Sequence, residues 1–294
     1  MPIDSAAAPG TLWVVATPIG HLGDLGDRAR AILSAVPVIA AEDTRVSARL
    51  LADRASPVRM ISLNEHSERR HLEQVLDCLS AGEDVALVSD AGTPLISDPG
   101  FRLVQAAHER GVRVSPVPGP CAAVAALSVA GLASDRFWFE GFLPARSAAR
   151  RRRLAELASL PITVITYVPA RDLAALLEDC AAALGPARPA ALARELTKLH
   201  ETVRQGSVAD LLAFCRSDPN QARGEAVLVL AGSEQAKVEI SVHALADELA
   251  RALPPSQAAR VLARVSGLSR KQAWQLLEGR TAGSAAGTTV TGDD

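Results

Sequence analysis

Lysine and cysteine are scarce in this chain, and positive charge is not in excess. Its 31 basic side chains face 33 acidic ones, a formal net charge of -2. That balance excludes a polycation that holds nucleic acid by bulk charge, so any nucleic-acid surface must be a local patch. Lysine occurs only at Lys198, Lys237 and Lys271; the basic groups are otherwise arginine, whose guanidinium suits phosphate contacts. The four cysteines, Cys78, Cys121, Cys180 and Cys215, are widely spaced, with no C-x-x-C and no histidine at zinc-ligand spacing. They read as reduced core thiols of a cytoplasmic protein. Long hydrophobic runs are missing too: the longest, Cys121–Ala133, is too short and alanine-rich to cross a bilayer, and the start MPIDSAAAPG carries no basic segment of a secretory signal. Neither secretion nor membrane insertion is expected.

What is present is a 294-residue chain, 48% hydrophobic and 22% charged, enough for a soluble protein of two domains with a small appendage. Short apolar runs at Thr11–Ala16, Val36–Ala41, Val58–Leu63, Val85–Ser89 and Val112–Val117 alternate with helical-period segments such as Asp27–Ser34, Glu68–Ser80 and Arg102–Arg110. Such alternation predicts an α/β fold with a largely parallel sheet covered on both faces. Cys121–Ala133 reads as a buried helix. Strand-like Ile162–Val168, Ala191–Leu196 and Glu225–Gly232 then alternate with further helical segments. The expected organisation is an N-terminal α/β domain over residues 1–135, a second over 136–235, and a helical appendage with a disordered tail over 236–294. In the appendage Pro254 and Pro255 start one helix, Gly267 ends it and Ser269 caps the next. A packing or dimerisation module is the preferred reading there; Arg270 and Lys271 also permit a helix-turn-helix.

Ligands of open α/β sheets bind beyond the strand ends, and three unusual loops fall there: Ala16–Asp24, Ser89–Gly100 and Pro118–Ala123. The first has Gly20 and Gly23 yet fits neither G-x-G-x-x-G nor G-x-x-x-x-G-K-[ST], which leaves a dinucleotide or triphosphate site unsupported. The second packs two aspartates, two glycines and two prolines into twelve residues, an irregular path that offers backbone groups to a ligand. Asp90 and Asp98 suit turn formation or a cationic ligand group; a divalent metal site is the weakest of the options, and no metal ligands are assigned. His66 and His71 lack the H-E-x-x-H order, and no G-x-S-x-G elbow occurs. Arg146, Arg150, Arg151, Arg152 and Arg153 cluster with no acid among them at a helix start, against the helix dipole. Phosphate binding and a solvated charged face are equally good readings of that run.

The blocks TLWVVATPIGHLGDL, AAEDTRVSARLL, SLNEHSE, VSDAGTPLISDPG, VPGPCA, FEGFLPAR and ARELTKLHE, in this order over roughly residues 11–232, resemble the bacterial 16S rRNA (cytidine-2′-O)-methyltransferase family of the tetrapyrrole methylase superfamily. The resemblance implies a two-domain tetrapyrrole-methylase-like α/β fold, S-adenosyl-L-methionine in the cleft between domains, a homodimer, and the ribose of cytidine 1402 of 16S rRNA in the small ribosomal subunit as target. Carried onto this chain, it implies cofactor contacts from Pro18 and Gly20; from Asp90, Ala91, Gly92, Thr93, Pro94, Ser97 and Asp98; from Pro118, Gly119, Pro120, Cys121 and Ala122; and from Glu195, Leu196, Gly224 and Glu225.

Methyl transfer to a hydroxyl is an in-line displacement that alignment alone can accelerate, so no conspicuous dyad is required. A proton acceptor and a cation favouring the alkoxide would help. Asp43, Glu65 and His66 are the candidate acceptors or orienters; Lys198 and Arg45 are the candidate cations, with Arg45 and the Arg146–Arg153 run as RNA contacts. An Asp43–Arg45 pair that merely caps a helix is an equally good reading. Two departures from the family pattern stand out: His21 in place of asparagine after Gly20, and Tyr167-Val168-Pro169-Ala170-Arg171-Asp172 in place of Y-E-S-P-H-R. The second removes an acid and a histidine, so no catalytic residue is assigned there. The rival readings are a small-molecule methylase acting on a tetrapyrrole and a non-catalytic RNA-binding ribosome-assembly factor.

Overall fold

The computed structural model describes residues 8–51, 57–63, 68–233 and 242–281. The chain divides into two compact units, Met1–Gln235 and Ala236–Asp294. In the first unit, β1 (Thr11–Val15), α1 (Asp27–Ala35), β2 (Val38–Ala41), α2 (Thr44–Leu50), β3 (Arg59–Ser62), α3 (Glu68–Ser80), β4 (Val85–Val88), α4 (Phe101–Glu109) and β5 (Arg113–Val117) follow one another. Their strands form one sheet in the order β3-β2-β4-β1-β5, with every pairing parallel. β2 and β4 are buried along their whole length, as expected of central parallel strands covered on both faces. The order makes β1 and β4 neighbours although two strands, β2 and β3, separate them in sequence, so the loops that follow them emerge side by side.

A second sheet follows, built from β6 (Phe137–Phe142), β7 (Thr163–Pro169), β8 (Pro189–Arg194), β9 (Thr202–Ser207) and β10 (Glu225–Leu230) in the order β6-β7-β10-β8-β9. In sequence this region reads only as a second α/β unit; within it β6 and β7 run parallel, whereas β7–β10, β10–β8 and β8–β9 are antiparallel. α5 (Ala122–Val129), shorter than the predicted helix, lies before residue 135 in sequence yet packs Ala123, Ala126 and Leu127 on Ile165, Ala193 and Val227 of this second sheet. α6 (Ser147–Leu157), α7 (Leu173–Leu184) and α8 (Val208–Ser217) cover the other face through Leu154, Leu177 and Leu211. Cys78 and Cys180 are buried thiols, while Cys121 and Cys215 are only half-buried.

The arginine run falls on α6, and acids from other elements take up most of it. Arg150 is buried against Asp179 of α7 at 2.6 Å, and Arg151 reaches the other oxygen of the same carboxylate. Arg153 pairs with Glu140 of β6 and with Glu156. Arg150 is therefore a core residue, which corrects its assignment as an RNA contact; Arg146 and Arg152 remain exposed.

The second unit contains α9 (Val242–Ala252), α10 (Pro255–Ser266) and α11 (Arg270–Thr281), packed around Ala246, Ala258, Leu262, Ala273 and Leu277. Gly267 ends α10 in the left-handed conformation, φ 72°, where a side chain is disfavoured. Ser269 and Gln272 form a reciprocal cap on α11: the Gln272 N–H donates to Ser269 Oγ at 3.3 Å and the Ser269 N–H to Gln272 Oε1 at 3.0 Å. The expected disordered tail lies outside the described residues apart from Thr281. No helix among the described residues is long and apolar enough to cross a membrane.

Candidate functional site

The loop after β4 is tied to the loop after β1 by two backbone hydrogen bonds, Thr17 N–H to the Gly92 oxygen at 2.8 Å and Gly92 N–H to the Thr17 oxygen at 3.1 Å. Thr93 Oγ1 donates to the Pro120 oxygen at 2.9 Å, which joins the loop after β5 to the same cluster. Leu95 and Ser97 hold φ of 73° and 71°, a left-handed backbone that costs energy for any residue with a Cβ. Strain of this kind, held by surrounding contacts, sits beside a cleft of about 450 Å³, within the usual range for small-ligand sites.

The cleft lies between this loop cluster and the second sheet. Asp90, Ala91, Gly92, Thr93, Ser97 and Asp98 line one side; Ala122, Glu195, Leu196, Gly224 and Glu225 are also in its wall. Among the predicted cofactor residues, Pro18, Gly20, Pro94, Pro118, Gly119, Pro120 and Cys121 are not in the lining. Gly20 stands close behind one lining residue: a Cβ there would come within 2.5 Å of Lys198 Cγ. Sequence reasoning missed Glu42 and Phe142, which also line the cleft, as do Tyr167 and Arg171 of the departing Tyr167–Asp172 segment, to which the sequence assigns no role. Tyr167 packs edge-on against Phe139 and Phe142 at 5.0 and 5.6 Å, and its hydroxyl accepts the Ala123 N–H at 3.2 Å. Burial first, and then the neighbouring Cys121, push the phenol well above its ordinary value, so it stays protonated.

Five carboxylates, Glu42, Asp90, Asp98, Glu195 and Glu225, stand against two cations, Arg171 and Lys198, in the lining. Their protonation differs. Asp98 is pushed up to about 6 by burial; a Ser89 hydrogen bond opposes this, and Glu42 and Asp90 add to it. Burial works against the charge of Glu195 as well, but Lys198 and the Glu225 N–H outweigh it and hold this carboxyl below its ordinary value. Lys198 donates to Glu195 Oε1 at 2.9 Å and to Glu225 Oε2 at 3.0 Å; burial opposes its charge and these two partners restore it. Lys198 is thus a fixed cation of the cleft and not a base.

Asp43 caps α2. Its Oδ1 accepts the Arg45 N–H at 2.8 Å, and its Oδ2 pairs with the Arg45 guanidinium at 2.6 Å. The Arg45 hydrogen bonds hold the carboxyl down at about 2, and Asp43 is absent from the lining. Such a carboxylate is a poor proton acceptor at neutral pH, so the capping reading replaces the catalytic one. Asp43 still matters by position, because its backbone N–H donates to Asp90 Oδ1 at 3.0 Å. Arg45 is highly exposed, at 88%. Glu65 and His66 lie outside the described residues.

An apolar floor with an acidic wall, closed by strained backbone, suits a small cationic ligand. Comparison with known proteins places the chain in a family. The family model for Tetrapyrrole (Corrin/Porphyrin) Methylases matches residues 11–212. A ribosomal RNA small subunit methyltransferase I of Xylella fastidiosa is 49% identical over 270 residues, 90% of this chain and 98% of that protein. A Pseudomonas aeruginosa protein of the same name is 47% identical over 270 residues, 90% and 96% of the two chains. Among solved structures, a Thermus thermophilus uroporphyrin-III-C-methyltransferase gives a TM-score of 0.52 at 22% identity, covering 76% of this chain and 94% of that one. A cobalt precorrin-4 methyltransferase of cobalamin biosynthesis gives 0.58 at 18%, covering 75% and 94%; both likenesses are of fold. The family match and the near full-length identity agree: the chain belongs to the tetrapyrrole methylase family and, within it, to the ribosomal RNA small subunit methyltransferase I proteins.

Proposed function

We propose that this protein transfers a methyl group from S-adenosylmethionine to the ribose 2′-hydroxyl of cytidine 1402 in 16S rRNA, acting on the small ribosomal subunit as a cytoplasmic homodimer. The observation that carries the reading is the five-carboxylate cleft under the Ser89–Gly100 loop, in a chain about half identical to proteins named for small-subunit rRNA methylation. The residues present fit the cofactor. Its sulfonium and ammonium call for carboxylates, which Asp90, Asp98 and Glu42 supply, and its adenosine calls for an apolar wall, which Ala193, Leu196 and Val227 supply. When bound, S-adenosylmethionine supplies an electrophilic methyl group.

The chain's own residues then orient the acceptor and manage charge. Lys198, held by Glu195 and Glu225, presents an ammonium at the cleft wall that favours an ionised 2′ oxygen. The test is radiolabelled methyl transfer to 30S subunits lacking the modification, with mapping of the labelled nucleotide. Label on the ribose of that cytidine is expected; label on RNA elsewhere or no label on RNA would overturn the reading. In this assay Lys198→Met should lower turnover about 100-fold, with Lys198→Arg retaining most of it. Wild-type turnover in Lys198→Met would remove Lys198 from this role.

Cofactor binding should also depend on pH. Asp98 has a folded value of about 6 against an ordinary 3.8, so the folded state binds the extra proton and loses stability as pH rises between those two values. A cationic ligand has the opposite preference and favours ionised Asp98. Affinity for S-adenosylmethionine is therefore expected to rise as pH increases through 6, by about tenfold for each unit by which the bound cation lowers Asp98. Calorimetric titrations between acid and neutral pH should show this rise and its loss in Asp98→Asn.

A further inference from the structure

We infer that the three-helix unit is a second RNA contact, in which Arg270 and Lys271 neutralise two phosphates of a single-stranded rRNA segment and Trp274 stacks on one of its bases; this rests on the rRNA reading above. Over residues 242–281 six basic side chains face three acidic ones, in a chain whose net charge is -2. The described helices therefore carry the local excess of positive charge that bulk composition leaves room for. Arg270, Lys271 and Trp274 lie together on the first turns of α11 and line a groove with Ser256 and Ala259 of α10.

The state of these side chains separates them from the α6 arginines. Arg150, Arg151 and Arg153 are taken up by Asp179, Glu140 and Glu156, whereas among the described residues Arg270 and Lys271 enter no ion pair. Both sit at the start of α11, where the helix dipole disfavours cations and an incoming anion relieves the conflict. Trp274 is one of only three tryptophans, yet it is 37% exposed and stands outside the core of its unit. An indole flanked by two cations on a groove is the arrangement that takes stacked bases and phosphates together. Glu278 lines the groove as well and repels phosphate there, which confines the phosphate contacts to the Arg270–Lys271 end.

The experiment uses the full chain and a labelled single-stranded RNA oligonucleotide, followed by fluorescence anisotropy across a salt series. Arg270→Ala with Lys271→Ala should flatten the slope of log affinity against log salt by about 1.4. Trp274→Ala should weaken binding about tenfold, with Trp274→Phe retaining most of it. Circular dichroism should show intact folding, and S-adenosylmethionine affinity should not change. Unchanged RNA affinity and slope when Arg270→Ala, Lys271→Ala and Trp274→Ala are combined would overturn the proposal, as would equally tight binding of an acidic polypeptide at this surface. Methyl transfer to 30S subunits, measured in parallel, separates the two claims. A higher KM at unchanged kcat in the variants supports the contact, whereas a wild-type chain that binds RNA through α11 and transfers no methyl overturns the methylation reading alone.

Discussion

Asp179→Ala is expected to destabilise the first unit by about 3–5 kcal/mol, because it leaves the Arg150 guanidinium buried without its carboxylate. Asp179 is 2% exposed and Arg150 8%; Ser147 Oγ donates to the same carboxylate at 2.9 Å, and Arg151 completes the cluster. Burial opposes the charge of Asp179, but the hydrogen bonds from Arg151, Ser147 and Arg150 hold its carboxyl below the ordinary value. The stabilisation is therefore present above the unfolded carboxylate range and is lost as pH falls through the lower folded value. At neutral pH the melting temperature should drop by on the order of 10 °C. Arg150→Met with Asp179→Leu removes both charges and should recover most of that loss, whereas Arg152→Ala, on the exposed side of α6, should change little. A melting temperature for Asp179→Ala close to that of wild type would show that Arg150 is solvated after all.

That ion pair also shows where the sequence stops being readable. Arg150 looks like a member of a surface run because its neighbours in sequence are basic; its acid lies 29 residues away on α7, and only packing brings it there. The first sheet was legible because parallel strands buried on both faces are continuous apolar runs, as Val38–Ala41 and Val85–Val88 are. β9 was not, because TVRQGS is a sheet-edge strand with three exposed residues in its middle and no alternation to detect. Alternation of strands and helices gave the parallel direction of the first sheet but left the antiparallel pairs of the second unseen. In the cleft, the Ser89–Gly100 loop was visible through its composition. Glu42 was not, since it follows the ordinary apolar strand β2 and becomes part of a site only where the two sheets meet.

Gly224→Ala is expected to lower cofactor affinity at least about tenfold while costing the fold only about 1–2 kcal/mol, and the two effects have different origins. Gly224 holds φ at 85°, where a Cβ is disfavoured by about that amount. The larger consequence is steric: a Cβ there would stand 2.2 Å from Glu195 Oε1 and 2.4 Å from its Cδ. The carboxylate must turn away, and in doing so it gives up the Glu225 N–H at 3.0 Å and the Lys198 ammonium at 2.9 Å. Glu195 is already held at φ 51°, so those two hydrogen bonds fix both a strained backbone and the wall of the cleft. If displacement of Glu195 is the cause, Glu195→Ala alone should weaken S-adenosylmethionine binding comparably. Adding Gly224→Ala to it should then cost little more in binding, because the obstructed group is gone. Calorimetry on the two single variants and the double variant measures this directly: strong non-additivity is expected for residues in contact. Additive losses would assign the effect of Gly224→Ala to the backbone and leave Glu195 without the role in the cleft wall proposed for it.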